Sequence, residues 1–172
     1  GFQNWRTAIS DVNDAGRWLI AEGIADASKL STVGWSYGGY AALQSQVLDP
    51  SLYKAVVAIA PVTDLRRLRE EDREFSSYSL IAKQLGDGPH LVEGSPTQNV
   101  ARFASPVLIV HGDADQNVNV EQGRRMNEAL VKAGKTVEYI EFDDLAHDLD
   151  DSAARKEMLV KIDQFLAASL RN

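Results

Sequence analysis

Cysteine is absent from the 172 residues, which excludes disulfides, thiolate metal sites and a cysteine nucleophile together. Long hydrophobic runs are missing as well. No stretch approaches the roughly 20 apolar residues that a helix needs to cross a bilayer. Basic side chains are the minority, 18 Lys and Arg against 25 Asp and Glu, for a formal net charge of -7. That balance disfavours nucleic acid and anionic membrane surfaces as partners. There is no visible secretory leader, and no motif that calls for a cofactor. The chain opens at Gly1-Phe2 without an initiator methionine, so cytoplasm and periplasm both stay open and a longer parent protein is expected.

What is present is an alternation of helical and strand patterns. Apolar residues at Ile9, Val12, Ala15, Leu19 and Ile20 recur with a helical period, predicting a helix over 4–22 that stops at Gly23. Residues 30–35 read as a short buried strand, and 41–48 as a helix closed by Asp49-Pro50. The apolar run 55–60, ended by Pro61, suits a strand buried on both faces, as in parallel sheets. A third strand is expected over 106–112, a helix over 121–133, an edge-like alternating strand over 136–142, and a closing amphipathic helix over 152–170. Between 62 and 102 the periodicity fades. The mixed charges of 66–74 read as a solvated helix face, and Gly86-Asp87-Gly88-Pro89 and Gly94-Ser95-Pro96 mark loops. The fold class is α/β, a mostly parallel sheet with flanking helices and right-handed crossovers. Four strands leave one flank of such a sheet open.

The run Gly34-Trp35-Ser36-Tyr37-Gly38-Gly39-Tyr40 sits between the first strand and its helix. A serine between glycines in that setting has the pattern of a nucleophile elbow, with Gly34 and Gly38 expected to let strand and helix approach closely. Such a serine needs a base and an acid to orient it. Of three histidines, His90 is expected to face solvent and His111 to have a structural role at a strand end. His147 follows the last strand, at the sheet end where α/β folds place their sites, and is the candidate base. Asp113 and Asp115 both follow the third strand. Asp115, further along the turn, is the better placed to reach the histidine loop. Ser36, Asp115, His147 is the chain order of α/β-hydrolases. A calcium loop at 113–124 is rejected, because its sixth position is Val118 and its twelfth Arg124. Asp143, Asp144, Asp148, Asp150 and Asp151 are read as solvating their loop and favouring the last helix's N-terminus, rather than as a metal site.

The elbow run and His111-Gly112-Asp113-Ala114-Asp115-Gln116-Asn117-Val118 resemble the prolyl oligopeptidase family of serine peptidases, in its dipeptidyl-peptidase and acylaminoacyl-peptidase branch. Asp11, Asp14, Trp18-Leu19 and Asp26, then Ala60-Pro61-Val62-Thr63-Asp64 and Ser95-Pro96, are similar to that family's segments too. The resemblance implies that 1–172 is the C-terminal portion of an α/β-hydrolase peptidase domain, without the family's N-terminal strands and β-propeller. It implies a triad of Ser36, His147 and Asp115 acting on short peptides through an acyl-enzyme, with the Tyr37 N–H as oxyanion donor. Trp35, Val62 and Tyr78, with Phe75 nearby, are the residues expected at the substrate pocket. A second oxyanion donor would lie in the absent strands. Losing one typically costs about 10²–10³ in turnover, so weak activity is expected of this chain alone. Expected partners are the peptide substrate and, on the open flank, either the missing N-terminal part or a second copy. An esterase of the same fold and a non-catalytic association domain are the competing readings.

Overall fold

The computed structural model describes residues 2–71 and 78–171. Four strands, β1 (Ser31–Trp35), β2 (Ala55–Ile59), β3 (Val107–Gly112) and β4 (Val137–Phe142), form one sheet in the order β1-β2-β3-β4. Every pairing is parallel, with Val33 opposite Val57, Val57 opposite Leu108 and Val107 opposite Val137. The two inner strands are buried along their whole length, which is why they read as unbroken apolar runs.

Helices cover both faces. On one, α2 (Tyr37–Leu48) and α6 (Glu121–Lys132) pack Leu43, Val47, Met126 and Leu130 onto Val56, Ala58, Val107 and Ile109. On the other, α7 (Ser152–Ser169) sets Met158, Ile162 and Phe165 on Val57, Ile59, Leu108 and Val110. Each such side chain contributes about 1.5–3 kcal/mol by leaving water. Asp151 caps α7 by accepting the Ala154 N–H at 2.7 Å. The first helix, α1 (Trp5–Ala21), lies on α2 but buries Trp5, Ile9, Asn13 and Gly16, a stripe rotated away from the expected Val12 and Ala15. The reason is local chemistry. Asn13 donates to the Ser45 carbonyl at 3.4 Å, and a Cβ at Gly16 would stand 2.9 Å from the Tyr53 hydroxyl.

Among the described residues of the stretch where periodicity fades there are three short helices: α3 (Leu65–Glu71), α4 (Tyr78–Leu85) and α5 (His90–Glu93). A 3₁₀ stretch, Pro96–Arg102, leads back to β3. Leu65 and Leu68 turn inward from α3, so its charged face is only part of it. His90 lies in α5, half-buried, with Nε2 2.6 Å from the Leu85 carbonyl, and does not simply face solvent. Strand β1 also departs from expectation. Among the described residues it is paired on one side only, as is β4 at the other end of the sheet, and its Val33 is 51% exposed.

Candidate active site

Ser36 joins β1 to α2 with φ 57 and ψ -120, a backbone that L residues rarely adopt. Two bonds hold it there: its N–H donates to the Ile59 carbonyl at 2.8 Å, and its carbonyl accepts the Tyr40 N–H at 3.0 Å. The turn is tight enough that a Cβ on Gly34 would fall 2.0 Å from the Gly38 carbonyl oxygen, so only glycine fits. Gly38 itself has open space where a Cβ would be, and the second close approach belongs to Gly39, against the Ile59 carbonyl. Tyr37 opens α2 directly after Ser36, and the first N–H groups of a helix have no partner within it. The Tyr37 ring, 41% exposed, packs on Phe2 and Tyr40.

The loops after β3 and β4 are clasped together. A Cβ at Gly112 would meet the Leu145 carbonyl at 2.2 Å, so glycine is required for this approach. The Ala114 N–H donates to that carbonyl, and Asp113 accepts the Asp144 N–H at 2.7 Å. Asp113 therefore fastens the two loops. Asp115, two residues on, lies 2.7 Å from His147 Nδ1 through Oδ2. The carboxylate can only accept, so Nδ1 carries the proton and Nε2 is left for the cavity.

Asp115 has no exposed side-chain surface. Burial alone would raise its pKa. Donors outweigh that: His111 Nε2 at 3.2 Å, the Val118 N–H, His147 and the Asn117 N–H together hold it down to about 2. His111 is fully buried, its Nε2 also 2.9 Å from the Val118 carbonyl. Its expected structural place thus includes a direct hold on the acid, which its position at a strand end did not reveal.

A cavity of about 460 Å³ opens at this end of the sheet, lined by Trp35, Ser36, His147, Asp148, Asp150 and Arg155. That volume lies within the range of small-ligand sites. The serine and histidine are thus brought to one cavity wall, and the acid is bonded to the histidine behind it. Val62 is placed elsewhere. It is 5% exposed and packs with Trp5, Tyr40 and Leu65. Phe75 and the Tyr78 side chain lie outside the described residues. Arg155, on the first turn of α7, carried no recognisable sequence signal for this wall.

The sequence profile of the prolyl oligopeptidase family matches residues 2–172. This chain belongs to the prolyl oligopeptidase family. Dipeptidyl aminopeptidase BIII from Pseudoxanthomonas mexicana is 26% identical over 168 residues, covering 93% of this chain and 24% of that protein. Dipeptidyl peptidase 4 from Bos taurus is 26% identical over 160 residues, covering 92% of this chain and 20% of its own length. Among solved structures, a puromycin-hydrolyzing peptidase from Mycobacterium tuberculosis superposes with a TM-score of 0.87 at 26% identity, covering 95% of this chain and 25% of that one. The fold is that of the α/β-hydrolase peptidases. The chain spans about a fifth to a quarter of the length of these relatives.

Proposed function

We propose that this chain carries the nucleophile, base and acid of a serine peptidase acting on short peptides. Ser36 Oγ attacks the scissile carbonyl carbon while His147 Nε2 takes its proton. The same proton passes to the departing amine nitrogen, leaving an ester on Ser36, which a water activated by His147 then hydrolyses. Asp115, held ionised, keeps Nδ1–H of His147 directed at itself and stabilises the imidazolium that forms. The Tyr37 N–H donates to the oxyanion. The observation that carries this reading is the 2.7 Å bond from His147 to Asp115 behind the wall that Ser36 shares. Family membership and the dipeptidyl peptidase names of the relatives support peptides over other acyl substrates.

Residues 1–172 act in this reading as the C-terminal portion of a peptidase domain, with a second oxyanion donor supplied from outside them. A fluorophosphonate probe tests the nucleophile independently of turnover. Adduct mass on the Ser36 peptide, lost in Ser36→Ala, is the expected result. A folded, unlabelled chain would favour the non-catalytic association reading. Turnover of a chromogenic aminoacyl substrate is expected to run about 10²–10³ below that of a complete family enzyme.

A further inference from the structure

We propose that Trp35 and Arg155 are positioning residues that together hold the loop bearing His147, an inference that rests on the reading of His147 as the base. Three successive carbonyls of that loop are held by two side chains from different elements. Trp35 Nε1–H, at the end of β1, donates to the His147 carbonyl at 3.1 Å. Arg155, on α7, donates through Nε to the Leu149 carbonyl at 3.0 Å and through one terminal nitrogen to the Asp148 carbonyl at 2.8 Å. The same nitrogen meets Asp150 Oδ1 at 2.9 Å.

The loop requires such holding. Asp144 and Leu149 both have positive φ, 57 and 47, without being glycine. Its apolar anchor is Leu149, 1% exposed, seated in the core beneath α7. Its first half is fastened to the loop after β3 through Asp144, Leu145 and His147. Trp35 and Arg155 hold the carbonyls of 147–149, the part that those bonds leave out. The Trp35 ring is itself packed against that core, so its N–H is a fixed point. The guanidinium is planar, with several donors in a rigid fork, and so can hold two carbonyls and a carboxylate at once.

The consequence reaches the nucleophile directly. Trp35 is the residue before Ser36, so one short segment presents the nucleophile and ties down the base. A displacement of the imidazole by about 1 Å would misplace Nε2 relative to Ser36 on the wall they share, and errors of that size cost about 10²-fold in rate.

The test compares Trp35→Phe, Arg155→Gln and Arg155→Lys with the unaltered chain by fluorophosphonate labelling rate, thermal melting and the proton NMR signal of His147 Nδ1–H. Phenylalanine keeps the packed ring and loses the donor, and lysine keeps the charge and loses the fork. All three are expected to label roughly 10- to 100-fold more slowly, with the Nδ1–H signal broadened and melting little moved. Labelling and proton signal like those of the unaltered chain in all variants would overturn the proposal. So would a fall in labelling that merely follows loss of folded protein, or full rescue by lysine at 155. If the unaltered chain takes no label, the serine reading fails by itself, and the Nδ1–H signal still decides the clamp.

Discussion

At φ 57 and ψ -120 the Ser36 backbone occupies a region that costs an L residue about 1–3 kcal/mol and glycine far less. Ser36→Gly should therefore stabilise the chain by about 1 kcal/mol in denaturant unfolding while removing all fluorophosphonate reactivity. Ser36→Ala should lose the reactivity without gaining the stability. A glycine variant that unfolds at lower denaturant than the parent would contradict the strain assigned here. Asp115 carries a second residue-level prediction. Its folded pKa of about 2 lies below the ordinary 3.8. The native state therefore binds its proton less readily than the unfolded chain does. The associated stability, about 2 kcal/mol, is present above pH 4 and is lost as pH falls from 4 towards 2. Unfolding of Asp115→Asn should lack that component of the acid limb, and parallel curves for the two proteins over this window would refute it. At this scale the sequence singled out Ser36, Asp115 and His147 as one group, and the fold brings Ser36 and His147 to one cavity with Asp115 bonded to His147. Steric roles were readable only in part. Gly34 meets a carbonyl that tolerates no Cβ, whereas Gly38, identical in the motif, meets nothing.

The elements differ in how they announced themselves because different forces hold them. Strands β2 and β3 are buried on both faces, so burial alone wrote their apolar runs. The short helices α3 to α5 bury Leu65, Leu68, Leu85 and Leu91, and are fixed further by side chain to backbone bonds that no period encodes. Gln122, 1% exposed on α6, is the centre of that arrangement. Its Oε1 accepts the Thr63 N–H at 2.9 Å and the Asp64 N–H at 2.8 Å, while its carbonyl takes the Thr63 hydroxyl. Asp64 in turn caps α3 by accepting the Arg66 and Arg67 N–H groups, and the Ser95 hydroxyl receives the Leu65 N–H. The segments 60–64 and 95–96, which resembled family segments, are thus the two ends of one buried polar joint. Gln122→Ala would leave two buried N–H groups unpaired, at about 1–3 kcal/mol each. A loss of about 2–6 kcal/mol in urea unfolding is expected. A loss below 1 kcal/mol would mean that the joint relaxes to find other acceptors.

For the whole molecule the open edge matters most. Among the described residues strand β1 is paired only to β2, its Val33 is 51% exposed, and α7 on the same side of the sheet shows Leu159 at 60% and Val160 at 45%. Val33 projects from the face that α7 covers, since it pairs with Val57, which packs under α7, and Leu159 and Val160 are exposed on α7 itself. An unpaired edge flanked by apolar surface is a template for another strand. A net charge of -7 opposes close approach of two copies, but it is screened within about 10 Å at 0.1 M salt. The 172-residue chain is therefore expected to self-associate at micromolar concentration, more strongly as salt is raised. Light scattering across protein and salt concentration measures this directly. Val33→Lys places a charge beside the edge without touching β2 pairing, and should shift the distribution towards monomer. Association that is insensitive to Val33→Lys would place the contact elsewhere on the surface, and a monodisperse monomer at all salt concentrations would show that the edge needs no cover.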